Sequence, residues 1–132
     1  RGFLSKGITV AAMHQQSGDI HHIVPKNYLQ THEFPDRGDY NQVANFALTE
    51  TSINISISNR PPTDYMAEVD TQIKSGVLTL GEITDADDLA RNLVENAVPV
   101  QLSKVDASSY KEFLVERRKL MAATIRDYYQ AL

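Results

Sequence analysis

The stretch Gly18-Asp19-Ile20-His21-His22-Ile23-Val24-Pro25 holds the densest potential chemistry in the chain. An imidazole changes charge near neutral pH and also binds divalent metals, so two in tandem offer a base and a ligand together. A lone histidine is most often a surface residue or a satisfied core group. An acid before the pair and a proline after it make this stretch less ordinary. Asparagines follow at Asn45, Asn54 and Asn59. One histidine and an asparagine oxygen can hold a hard divalent cation with an open coordination shell, while the other histidine polarises a water. A metal on a phosphate oxygen beside such a base is what phosphodiester hydrolysis needs. Taken singly, each asparagine reads as a turn or cap residue.

These residues need elements to position them. Isoleucine and valine around the histidines favour an extended strand over Gly18–Val24 that Pro25 stops. Neighbouring side chains of a strand point to opposite faces, so His21 and His22 cannot both enter one core. The Asn-, Asp-, Gly- and Pro-rich stretch from Pro25 to Asn45 reads as a long loop, anchored by a helical turn around Tyr28 and Leu29. Asn45 to Thr49 reads as a second strand. From Glu50 to Asn59 the pattern is ambiguous: Ile53, Ile55 and Ile57 alternate like a strand, while Thr51-Ser52 can cap a helix. If it is a helix packed across the hairpin, Asn54 approaches the first strand.

Beyond Pro61-Pro62 the pattern turns helical. Tyr65, Met66, Val69 and Ile73 lie at helical spacing within Thr63–Lys74, which stops at Ser75-Gly76. A second helix opens at Thr84-Asp85-Ala86-Asp87 and presents Leu89, Leu93 and Val94 before Pro99. The third opens on a capping box, Ser109-Tyr110-Lys111-Glu112, and aligns Tyr110, Phe113, Leu114, Met121, Ile125, Tyr128 and Leu132. Its Arg117-Arg118-Lys119 cluster reads as a solvated edge, with a phosphate-contacting patch as the alternative. Near the start, Ile8–Val10 fits a short strand and Ala11–His14 a short helix, with His14 on the surface in either case.

At 132 residues the chain suits one domain with a modest core. No apolar run approaches the roughly 20 residues of a membrane span, and Arg1–Lys6 lacks the apolar centre of a signal peptide. The opening without methionine suggests a piece of a longer protein. There is no cysteine, so neither a disulfide nor a thiolate metal site is available, which fits a cytoplasmic location. Few clustered ligands remain for a purely structural metal site. The net charge of −4 opposes nucleic-acid binding by bulk electrostatics. Up to Arg60, however, Arg1, Lys6, Lys26, Arg37 and Arg60 balance Asp19, Glu33, Asp36, Asp39 and Glu50, and all four histidines lie there. An anion site therefore belongs in the first half.

Asp19-Ile20-His21-His22-Ile23-Val24-Pro25 resembles the first-strand motif of the HNH nucleases, Asp-x-(Asp/His)-His-Ile-x-Pro, with Asn45 and Asn54 matching the central asparagine and the later helix residue. More specifically, the chain resembles the C-terminal HNH domain of GmrSD-type, modification-dependent (type IV) restriction enzymes. The likeness runs through Lys26-Asn27-Tyr28-Leu29, Tyr40-Asn41-Gln42-Val43-Ala44-Asn45, Ile53-Asn54-Ile55, Asn59-Arg60-Pro61-Pro62 and Phe113–Leu120.

The resemblance implies an α+β fold: a small ββα-metal (His-Me finger) core over residues 17–60, with a helical C-terminal extension over 61–132. It implies that His22 is the general base, His21 a metal ligand in a slot where several relatives carry aspartate, and Asn54 the second ligand. Asn45 would hold the loop that orients the base, and Asp19 would be an outer partner fixing a histidine tautomer. Asn59 is a lower-ranked ligand, and Lys26 and Arg60 are candidate phosphate contacts. Some HNH nucleases bind metal through two helix histidines one turn apart. Asn54 and Ser58 stand there, so Mg²⁺ or Mn²⁺ suits the site better than Zn²⁺. The implied activity is DNA cleavage in restriction, with an N-terminal domain of the same protein as partner and the later helices docking against it. A catalytically silent module that binds nucleic acid or a partner is the alternative.

Overall fold

The computed structural model describes residues 1–7 and 18–132; the strand or helix expected over Ile8–His14, with His14, lies outside them. The fold is α+β, with a two-stranded antiparallel sheet and, among the described residues, six helices. β1 (Gly18–His22) pairs with β2 (Phe46–Glu50) in a register that sets His21 opposite Ala47 and His22 opposite Phe46. β1 stops at His22, two residues short of the expected Val24, because the next backbone groups bond elsewhere. Ile23 N–H donates to the Asn45 carbonyl (2.8 Å), and Val24 N–H to the Asn45 side chain (2.9 Å).

The connection between the strands is more ordered than its loop-like composition implies. It contains the helical turn expected around Tyr28 and Leu29, as α1 (Lys26–Gln30), and beyond it α2 (Arg37–Tyr40) and a 3₁₀ turn at Val43–Asn45, and Leu29, Phe34, Tyr40 and Ala44 are buried. Short apolar anchors let a polar segment fold onto the body of the protein.

After β2, α3 (Thr51–Ile57) resolves the ambiguous segment as helix. Its isoleucines show why: Ile53 and Ile57, one turn apart, are buried, whereas Ile55 is exposed. A strand would have put all three on one face. Pro61-Pro62 ends this region, and Pro62 also opens α4 (Pro62–Ser75) at its first position, where its missing N–H has no helical partner to lose. Gly76 closes α4 in the left-handed conformation, φ 75°. Tyr65, Met66 and Val69 face the core, and the Tyr65 hydroxyl donates to the Ile23 carbonyl at 2.8 Å, bracing the exit of β1.

α5 (Ala86–Glu95) is capped by Asp85, whose carboxylate accepts from the Asp87 and Asp88 amides. Leu93 is buried and Leu89 packs against the core from its edge, but Val94 is exposed, a correction to the expected stripe. Val94 lies one residue past Leu93, about 100° further round the helix. α6 (Tyr110–Ala131) begins as expected but is not capped by Ser109. The box lies one turn earlier, where the Asp106 carboxylate accepts from Ser108 N–H and the Ser109 hydroxyl accepts from Asp106 N–H. Only the first half of α6 is buried, through Tyr110, Phe113 and Leu114; Ile125, Tyr128 and Leu132 are exposed because the core ends before they are reached.

Residues 1–5 are stitched into the same core. Phe3 N–H donates to the Leu48 carbonyl (2.8 Å) and the Thr49 hydroxyl to the Phe3 carbonyl (2.6 Å), both beside β2. Asn92 of α5 accepts from Leu4 N–H and donates to the carbonyls of Gly2 and Ser5. Gly81 (φ 67°) is required where this arm passes, since a Cβ there would stand 2.9 Å from the Leu4 carbonyl oxygen. Among the described residues, no helix is long and apolar enough to cross a membrane.

Candidate active site

The two histidines take different environments from adjacent positions, as strand geometry requires. His21 is 2% exposed, stacks on Phe3 (centroids 5.8 Å apart) and faces α3. His22 is half-buried, edge-on to Phe46 at 4.9 Å and tilted against Tyr40 at 6.3 Å. Both nonetheless line one cleft of about 320 Å³, together with Lys26, Asn27, Asn54, Ser58 and Asn59. The described residues lining it include one cation and no carboxylate, a character that suits an anionic ligand.

α3 brings Asn54 to the first strand. Its Oδ1 lies 2.6 Å from His21 Nδ1, and its Nδ2 donates to the Asp19 carboxylate at 3.3 Å. The carboxylate fixes which end of the amide faces which partner, since only the NH₂ group can donate to it. Asp19 thus orients Asn54, one step removed from the imidazole ring that it was expected to contact. With Asn54 Oδ1 accepting, His21 Nδ1 carries the proton, and its buried Nε2 has no hydrogen-bond partner in the structure. Burial first of all, with the charge of His22 adding to it, pushes the His21 pKa down from 6.5 to about 4, against the opposing influence of Asn54 and Asp19. The imidazole is therefore neutral at physiological pH, the form in which it can ligate.

The donor types, an imidazole nitrogen and an amide oxygen, fit a hard divalent cation. His21 Nδ1 and Asn54 Oδ1, now hydrogen-bonded at 2.6 Å, are the atoms that would hold it. A bound cation would take the place of the Nδ1 proton. Two neutral donors leave most of the shell to water and phosphate oxygens. Among the described residues, no group of three or more His, Cys, Asp or Glu side chains is placed to hold a metal.

Asn45 is fully buried and spends its whole amide on backbone: Oδ1 accepts from Val24 N–H (2.9 Å), and Nδ2 donates to the carbonyls of Val24 (3.0 Å) and Tyr40 (3.2 Å). Lys26 is exposed on the cleft, its ammonium 5.8 Å from the Tyr40 ring centroid. Asn59 also reaches the cleft, beyond Ser58, which holds a left-handed backbone (φ 56°) at the end of α3. Arg60 is turned away. It pairs with Glu68 at 2.6 Å and donates to the carbonyls of Ser56 and Ile57, bonds it must break to reach a phosphate.

Residues that sequence reasoning passed over support the site. Asn41 Oδ1 lies 2.9 Å from His22 Nε2. Arg117 is 5% exposed, which overturns the solvated-edge reading for this member of the basic cluster. Its guanidinium donates to the carbonyls of Ala44, Phe46, Asn96 and Ala97, so its charge is spread over backbone dipoles, while Arg118 and Lys119 are exposed. Nothing in the local pattern distinguishes Arg117 from its neighbours. For Asn41 the one signal is its place in the stretch Tyr40–Asn45. No protein family, curated protein or solved structure matches the chain.

Proposed function

We propose that the chain is a metal-dependent endonuclease of the HNH class that hydrolyses DNA phosphodiester bonds, with β1, β2 and α3 as its ββα-metal core. The observation that carries this reading is the shared cleft: His22 opens onto the same space as the convergent His21–Asn54 pair, and its exit strand is pinned by Asn45. A base and a two-donor pair that open onto one cleft suit in-line attack of water on a phosphodiester, which needs an activated water and a cation at the same phosphate. His22 takes a proton from water as the oxygen attacks phosphorus. The bond to the 3′ oxygen breaks, and that oxygen takes a proton from solvent, leaving a 5′-phosphate. Lys26 draws the phosphate towards the cleft. A Mg²⁺ or Mn²⁺ ion bound by His21 and Asn54 would stabilise the charge that builds on the phosphate oxygens.

The resemblance to GmrSD-type restriction enzymes extends the proposal to foreign or modified DNA, with target choice residing in an N-terminal domain of a longer protein. The test is nicking of supercoiled plasmid, plain and modified, with Mg²⁺, Mn²⁺ or EDTA, using wild type and His22→Ala. Metal-dependent nicking abolished in His22→Ala is the expected result. Undiminished nicking by His22→Ala would remove the base assignment, and no nicking with any metal would favour the silent binding module.

A further inference from the structure

We infer that Asn41 is a positioning residue for His22. It accepts a hydrogen bond from Nε2–H and so leaves Nδ1 as the nitrogen that takes the proton from water. This deepens the nuclease reading and rests on it. The 2.9 Å contact joins an imidazole nitrogen to an amide oxygen, which can only accept, so Nε2 holds the ring proton and Nδ1 the lone pair. The rings of Phe46 and Tyr40 contact His22 from two directions, and the Asn41 bond removes the remaining freedom of rotation.

The loop that presents Asn41 is held for the purpose from both ends. The Asn45 amide bonds the carbonyl of Tyr40, the residue before Asn41, and with its other atoms bonds Val24, two residues after His22. A single buried side chain therefore ties the backbone carrying the base to the backbone carrying its acceptor. α6 clamps the same loop from outside: the Tyr110 hydroxyl donates to the Asp39 carbonyl at 2.6 Å, and Arg118 to the Gln42 side chain at 3.0 Å. Asn41 itself is exposed and contributes nothing to the core, so its removal spares the fold.

Two measurements on the full chain test this, with wild type, Asn41→Ala, Asn41→Asp and His22→Ala. In ring-nitrogen NMR of the metal-free protein, neutral His22 should be protonated at Nε2 alone, and Asn41→Ala should give averaged signals from both tautomers. A wild-type ring protonated at Nδ1, or His22 signals unchanged by Asn41→Ala, overturns the inference. In plasmid nicking, Asn41→Ala should lower kcat by about 10- to 100-fold with KM for DNA nearly unchanged. Asn41→Asp, which keeps an acceptor, should restore part of the loss. Full kcat in Asn41→Ala, while His22→Ala is inactive, sinks the positioning role and leaves the nuclease reading standing. If wild type nicks nothing, the base role falls with that reading, and the tautomer measurement still decides whether Asn41 holds the ring.

Discussion

The side chain of Asn45 satisfies both the N–H and the C=O of Val24, standing in for a strand neighbour at the point where β1 leaves its ladder. The third bond, to Tyr40, fixes the spacing between the two segments that flank His22.

Asn45→Ala strands three buried backbone groups, each costing on the order of 1–3 kcal/mol, so urea unfolding should register a loss of roughly 3 kcal/mol or more. Asn45→Asp is the sharper test. It keeps the acceptor for Val24 N–H but turns a carboxylate oxygen towards two carbonyls. It should therefore unfold nearly as early as the alanine variant despite identical shape. An aspartate variant as stable as wild type would refute this account of the donor side.

The burial of His21 makes stability depend on pH in one direction. Its pKa in the folded chain is about 4, against 6.5 for an exposed histidine, so below 6.5 the unfolded chain binds the proton first. The contribution is fully present above pH 6.5 and is lost as pH falls towards 4. A shift of that size corresponds to about 3 kcal/mol. In EDTA, the urea midpoint should fall between pH 6.5 and 4 more steeply for wild type than for His21→Phe, which has no proton to bind. Parallel curves would show that the buried imidazole is not the source.

How far these features were legible in the sequence depends on how local they are. The two strands, α3 as one of two options and the approach of Asn54 to the first strand follow from side chains within about 35 positions and from strand and helix periodicity. The pairing of His22 with Asn41 crosses a connection whose composition reads as loop apart from the helical turn expected around Tyr28 and Leu29, and only the folded backbone adds α2 and the 3₁₀ turn on either side of Asn41. Arg117 contacts carbonyls 20 to 73 positions away. A run of Arg-Arg-Lys carries no mark of which member turns inward, because the acceptors are backbone groups that every residue possesses. The same reason hides Asn92, whose partners lie among Gly2, Leu4 and Ser5.

Arg117 offers a test of that buried clasp. Burial lowers its pKa to about 10, so it stays charged at neutral pH, compensated by four carbonyls rather than by a carboxylate. Lysine keeps the charge but concentrates it at one point and lacks the planar fork of donors. Arg117→Lys and Arg117→Met should both lower the melting temperature by roughly 8 °C or more, with lysine recovering little of the loss. A lysine variant that melts like wild type would show that charge alone is enough. Arg118→Met, at the exposed neighbour, should shift the melting temperature by no more than a degree or two.

The metal preference of the proposed nuclease follows from the ligand in the first slot. Imidazole nitrogen is a poorer partner for Mg²⁺, which favours oxygen donors, than for Mn²⁺, which accepts nitrogen more readily. Wild type should therefore nick plasmid faster with Mn²⁺ than with Mg²⁺ at equal concentration. His21→Asp puts an anionic oxygen in the same slot, beside Asn54 and above the space next to Phe3. It should reverse the ratio of Mg²⁺- to Mn²⁺-supported rates, even if stability falls because a stacked ring has been lost. Asn54→Ala removes the second donor and the link to Asp19, and should weaken Mn²⁺ binding about tenfold in a calorimetric or paramagnetic titration. If His21→Asp and wild type share one Mg²⁺ to Mn²⁺ ratio while both remain folded, His21 does not touch the ion.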